Sequence, residues 1–265
     1  MSFLNNKNEA GEATFWEHLE DLRWTIIRIL AVLVVIIIVV FSAKDFIFSK
    51  IVFTPLNSDF ILYRLLCKLA EITNIPAICP DEFHLDLINI NISGQFMAHL
   101  GTSITLSLLI AVPYLLYEIW KFIYPALYPQ EKKNTGFVFF SSSLLFYLGA
   151  FVSFFLIFPL TIRFLGTYSV SELVPNQISI QSYLGTLFIL VFALGIMFEL
   201  PVLAFFLSKM GIINRQMLKN GRKFALVTIL IISAVITPTT DPFTLMFVAL
   251  PIYLLYELSI PVCRK

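Results

Sequence analysis

The stretch WTIIRILAVLVVIIIVVFSA, residues 24–43, carries one charge, Arg28, among otherwise apolar or weakly polar side chains. A helix of about 20 such residues is the length that crosses about 30 Å of hydrocarbon, where only helices and closed barrels satisfy the backbone. No alternation of apolar and polar residues runs through it, so a barrel strand of about ten residues does not fit. The rest of the chain repeats the pattern. Of 265 residues, 58% are hydrophobic, 15% aromatic and 13% charged, against about 25% charged in soluble domains. The sequence therefore reads as an all-α polytopic membrane protein. A net charge of +1 leaves no electrostatic footprint for nucleic acid.

Working outward, nearly uncharged blocks at 92–117, 135–162, 183–207, 224–236 and 243–256 bring the predicted transmembrane helices to six. Six spans place both termini on one side. Short cytoplasmic loops carry excess Lys and Arg, and with the termini inside, 13 of the 18 basic residues fall there, including Lys132, Lys133, Lys209, Arg215, Arg222 and Lys223. The reading is therefore N-in and C-in. The first block has no basic segment ahead of it, as a cleavable signal would, and reads as a retained span. The last two helices are expected to be short; 13 residues cover only about 20 Å. Their connection, 237–242, would then lie in locally thinned bilayer or beside water. Residues 1–265 read as one domain, with a cytoplasmic amphipathic helix at 1–23 and a long first outer loop at 44–95 in which 58–72 has helical propensity.

Catalytic signatures are missing: no H-E-x-x-H, no G-x-S-x-G, no Walker sequence, and His18, His84 and His99 lie on separate segments. His99 is expected to be a polar packing or pore-side residue. The three cysteines match no zinc spacing and cannot all pair. Cys67 and Cys79 share the outer loop, where disulfides form, so they are a candidate bridge or two thiols. No metal, nucleotide or covalent cofactor is expected.

Ionisable residues carry more information. Thr14-Phe15-Trp16-Glu17 fits a capping box. Phe15, Leu19, Leu22 and Ile26 then share one helix face, while Glu17, Glu20 and Asp21 cluster opposite. Such a cluster suits a docking cation, or is an ordinary solvated face balanced by Arg23 and Arg28. Glu118, near the cytoplasmic end of the second span, reads as buried structure. Glu131 lies in the first cytoplasmic loop beside Lys132 and Lys133. Glu199 lies about 13 Å inside the fourth span, where a charge costs about 2.5–3.5 kcal/mol and faces protein or water. Pro201 should kink the helix beside it.

Taken together, HLEDLR (18–23), YEIWKFIYPALY (117–128) followed by Glu131, SSSLLFYLG (141–149), FPL (158–160), FELP (198–201), TP (237–238) with Asp241, and PIYLLYE (251–257) resemble the TatC family, the multi-spanning receptor of the twin-arginine protein translocase. The resemblance implies a concave, glove-like bundle in a bacterial inner membrane that binds the twin-arginine signal peptides of folded cargo. It implies arginine-reading carboxylates at Asp21 and Glu131, with Glu20, Arg23 and Phe122 beside them. Paired carboxylates take guanidinium groups in bidentate geometry that ammonium cannot reproduce. It also implies single-span TatA and TatB-type partners against the fourth to sixth spans, with Glu199, Pro201 and Asp241 as the intramembrane polar contact, energy from the proton-motive force, and assembly of several copies. Pro55 matches a loop residue linked to capping the concave face. This chain departs from the family in having Asp21 where Glu is usual and in its longer first outer loop. Of the rival classes, a secondary transporter predicts inverted halves that the sequence does not display, and an intramembrane enzyme predicts a paired catalytic set at one depth.

Overall fold

A computed structural model describes residues 15–57, 59–73, 85–123, 135–169, 171, 176–237 and 241–263. Helix α1, Phe15–Ser42, runs unbroken from the acidic segment through the first apolar block; Thr14 lies outside the described residues. After α2, Lys44–Ile47, come a π-turn at Phe48–Val52, a 3₁₀ turn at Thr54–Leu56 and α3, Ile61–Thr73. Helix α3 realises the propensity read at 58–72. Helix α4, Gly94–Ile123, follows. Helices α5, Thr135–Val152, and α6, Phe158–Thr167, are joined by a π-segment at Ser153–Ile157. The π-segment stands where Pro159, lacking an N–H, cannot bond the carbonyl one turn back. Helices α7, Ile180–Met197, and α8, Leu200–Lys209, are likewise one span broken by a turn at Phe198 and Glu199. Helices α9, Arg215–Asn220, α10, Arg222–Ile236, and α11, Pro242–Val262, complete the chain. The described strands, β1 at Leu87–Ile88 and β2 at Ile178–Ser179, pair in parallel.

Among the described residues, five segments are long and apolar enough to cross a membrane: Leu19–Ser42, Gly94–Phe122, Val138–Thr167, Ile180–Lys209 and Pro242–Val262. Helix α10 has 15 residues and, at about 22 Å, stays short as expected. Helix α11 corrects the sequence reading, because its 21 residues reach about 31 Å, a full span. The expected end at Tyr256 rested on the charge of Glu257. That carboxylate is half-buried and fully engaged: Arg222 pairs with its Oε2 at 2.7 Å, and the Tyr253 hydroxyl donates to its Oε1 at 3.2 Å. The helix therefore continues past it.

Helix α7 is the hub, packed against α4, α5, α6, α10 and α11. Its Tyr183, Leu190 and Leu194 are fully buried. Glycines let it approach α5 closely. A Cβ at Gly149 would lie 2.7 Å from the Leu194 carbonyl oxygen, and one at Gly195 would lie 2.7 Å from the Phe146 ring, the small-residue contact by which membrane helices associate. Helix α1 lies chiefly against α4 and leaves Val34, Val35, Ile38 and Val39 exposed, a surface suited to lipid.

The segment from α2 to α3 forms a roof over one end of the bundle. The Tyr183 hydroxyl donates to the Val52 carbonyl at 2.7 Å. The Tyr63 hydroxyl reaches the carbonyls of Pro55 at 3.4 Å and Pro159 at 3.3 Å, and Phe60 stacks on Phe155 with ring centroids 5.6 Å apart. Burial pushes the Tyr63 phenol up to about 12, so it remains a donor at any physiological pH. Pro55 is fully buried in this roof. Cys67 on α3 is disulfide-bonded and Cys263 is free and buried; Cys79 lies outside the described residues.

Candidate functional site

The site begins where α1 and α4 run side by side. Two contacts set their register. Arg28 pairs with Glu118 at 3.2 Å, and His99 Nε2 meets the Phe41 carbonyl at 3.1 Å while its ring stacks on Phe41 at 4.0 Å. The pairs 28/118 and 41/99 make the helices antiparallel, so the start of α1 lies beside the end of α4. Glu20, Asp21 and Arg23 are exposed on α1 at this end, and Phe122 is half-buried in the last turn of α4. Of the acidic residues on this face, Glu20 and Asp21 are open to solvent. Glu131 lies outside the described residues.

Below this rim Glu118 is 97% removed from solvent, since its exposure is 3%. The Tyr114 hydroxyl donates to its Oε1 at 3.0 Å, and Arg28 faces Oε2 as an ion pair outside hydrogen-bond geometry. Glu118 therefore has the structural burial expected of it. The sequence hint missed was depth: Arg28 and Glu118 stand at matching heights on adjacent spans.

Further along α4 opens an apolar groove of about 590 Å³, walled by Leu106 and Leu109 of α4, Tyr147 and Phe151 of α5, and Leu187 and Val191 of α7, and roofed by Val52, Phe60 and Ile61. Pro113 lies inside α4 and cannot bond the Leu109 carbonyl. The Tyr147 hydroxyl reaches across to the carbonyls of Leu109 at 3.3 Å and Ile110 at 3.2 Å. A freed backbone acceptor in the membrane is thereby satisfied from a neighbouring span. Tyr147 lies within SSSLLFYLG (141–149), and the offset of Pro113 and Tyr147 on consecutive spans is its only signal in the sequence.

Glu199 lies at the break between α7 and α8, two residues before Pro201, so the expected kink is present. The Ser142 hydroxyl on α5 donates to its Oε2 at 2.6 Å, and Oε1 is buried with no hydrogen-bond partner among the described residues. Ser142 is five residues from Tyr147, placing Glu199 about 8 Å from the groove along α5. Sequence reasoning missed Ser142, although a Ser-Ser-Ser run at the matching depth of the preceding span pointed to it. Asp241 is the N-cap of α11, accepting the Thr244 N–H at 2.8 Å on Oδ1 and the Thr244 hydroxyl on Oδ2. Among the described residues no group of three His, Cys, Asp or Glu could hold a metal ion.

Comparison with known proteins agrees with this architecture. The family model for the Sec-independent protein translocase protein TatC matches residues 17–251. The TatC of Blattabacterium sp. subsp. Periplaneta americana is 34% identical over 256 residues, 96% of each chain. That of Deinococcus radiodurans is 30% identical over 259 residues, 97% of this chain and 87% of the other. Two crystal structures of the twin arginine translocase receptor TatC, each 29% identical, share the fold. One gives a TM-score of 0.68 over 93% of this chain and 97% of that one; the other, in DDM, gives 0.74 over 94% and 100%. With its helices, their order and nearly its whole length so matched, the chain belongs to the TatC family, membrane-embedded Sec-independent translocases that serve as a receptor component of the Tat system and are not enzymes.

Proposed function

We propose that this chain is the signal-peptide receptor of a twin-arginine translocase in a bacterial inner membrane. It crosses six times with both termini in the cytoplasm, α10 being the fifth crossing in locally thinned bilayer, and its spans form a concave, glove-like face. Asp21 and Glu131, helped by Glu20, take the two guanidinium groups of the signal peptide; Arg23 and Phe122 complete the rim. The peptide's apolar stretch then enters the groove. The observation that supports this reading is that α4 connects both halves: its last turn, with Phe122, lies at the end of the bundle where α1 exposes Glu20 and Asp21, and Leu109, about 20 Å along the same helix, lines the groove.

Single-span TatA and TatB-type subunits pack against the fourth to sixth spans near Glu199, Pro201 and the α11 cap at Asp241. An interhelical hydrogen bond there contributes about 0.6–2 kcal/mol, enough to bias docking. Several copies assemble, and the proton-motive force drives export of folded cargo. Cys67 bonds Cys79 to close the outer loop. The test is photocross-linking: a probe in the apolar stretch of a twin-arginine signal peptide should attach to the peptides that contain Phe151 and Leu187. Attachment to α1 or α11 instead would refute the groove as the binding path.

A further inference from the structure

Helix α3 carries more apolar surface than its packing uses. At about 100° per residue, Leu62, Tyr63, Leu66 and Ala70 form one sector, and Ile61, Leu65, Leu69 and Ile72 form a second centred about 115° away. The first sector packs on the third span: Phe60, Leu62 and Tyr63 form a buried cluster against Phe154, Phe155 and Leu160. The second is 64%, 54%, 41% and 77% exposed at its four residues. Arg64, Lys68 and Glu71 occupy the next sector round. Passing around the helix, the bundle contact gives way to an apolar stripe and then to charges.

The depth of α3 is fixed by the Tyr63 hydroxyl on the Pro159 carbonyl. Pro159 is eight residues short of Thr167, the end of the third span, and so about 12 Å below its top. Helix α3 thus lies alongside the upper turns of the third span rather than above them. Ile61 gives the stripe its direction: it lines the same groove as Phe151 and Phe155, so this face is continuous with the exposed apolar surface of the third span at Phe151.

We propose that α3 is an interfacial anchor seated in the outer leaflet, the occupant of its apolar stripe being the lipid bilayer surface. Leu65, Leu69 and Ile72 insert at the acyl boundary while Lys68, Glu71 and the Arg64–Asp59 ion pair, 3.3 Å apart, stand at headgroup level, an amphipathic arrangement held to a membrane by its buried apolar area. The assignment of α3 to the outer side rests on the topology proposed above. Its consequence is that the roof over the groove is tied to lipid as well as to the third and fourth spans.

The test uses full-length protein with Trp16, Trp24 and Trp120 replaced by Phe, reconstituted in phosphatidylcholine–phosphatidylglycerol vesicles, with one tryptophan introduced by Leu65→Trp, Leu69→Trp or, as the solvent-side reference, Glu71→Trp. Lipids brominated high in the acyl chain should quench the first two at least about twofold more than the reference, with blue-shifted emission. Quenching by aqueous acrylamide equal to the reference, or insensitivity to both quenchers as under a covering protein, would overturn the proposal. Ile72→Trp, at the most exposed position of the stripe, repeats the reading if the central substitutions disturb folding. Protease access to the two termini checks the topology independently, so the two failures are distinguishable.

Discussion

Glu199 keeps one oxygen on Ser142 and leaves the other buried without a partner among the described residues. Substituting Ser142→Ala strips the remaining bond and should cost about 1–3 kcal/mol, the penalty of an unsatisfied buried group, read as a lower midpoint of thermal unfolding in detergent. Glu199→Gln still accepts from Ser142 while removing the charge. It should therefore hold the midpoint at or above wild type and impair export of a twin-arginine reporter, whereas unchanged export would remove the carboxylate from the mechanism. The depth of Glu199 and the kink at Pro201 were legible in the sequence, because an ionisable residue far inside an apolar block and a proline each announce themselves. Ser142 was not, since which of three consecutive serines faces a glutamate on another helix depends on the rotation of α5 against α7, which the close contacts at Gly149 and Gly195 set.

Between elements, an ion pair joins α1 to α4 through Arg28 and Glu118. Arg28→Ala leaves Glu118 buried with only Tyr114. The loss should be about 1–3 kcal/mol, below the roughly 3–5 kcal/mol of a fully buried pair because half of Arg28 is in contact with solvent. Adding Glu118→Leu should recover most of it, measured as a double-mutant cycle on thermal stability. The link of α5 to α4 makes a sharper cycle. Tyr147→Phe should cost about 1 kcal/mol in the native chain and distinctly less beside Pro113→Ala, because residue 113 then has an N–H to return to the Leu109 carbonyl. Equal costs in both backgrounds would show that Tyr147 does not serve the acceptor freed by the proline. Helix identity was readable throughout, because blocks of about twenty apolar residues have few other folds. The end of α11 was misread because a charge was taken as a boundary. Arg222, 35 residues away in sequence, neutralises Glu257, and no local pattern reveals a partner at that separation.

Across the whole molecule, an exposed acidic rim at one end, an apolar groove beyond it and a roof at the other end follow one another along α4 and α7. Rim and groove differ in how far sequence could place them. The acids of α1 and the Phe122 segment stand in contiguous motifs and were legible directly. The groove is assembled from α4, α5 and α7, and its roof from the turns and helix between α1 and α4. The roof is held by hydroxyl-to-carbonyl bonds from Tyr63 and Tyr183 that join residues up to 131 positions apart, so only the packed fold shows it. The central claim is that the rim reads paired arginines. The most direct measurement is equilibrium binding of a labelled twin-arginine signal peptide and its twin-lysine counterpart to the purified protein, with wild type, Asp21→Asn and Glu131→Gln compared. Two bidentate charge-assisted contacts predict preference for arginine by at least about tenfold, lost in large part with either substitution. Equal binding of both peptides, indifferent to both substitutions, would contradict it.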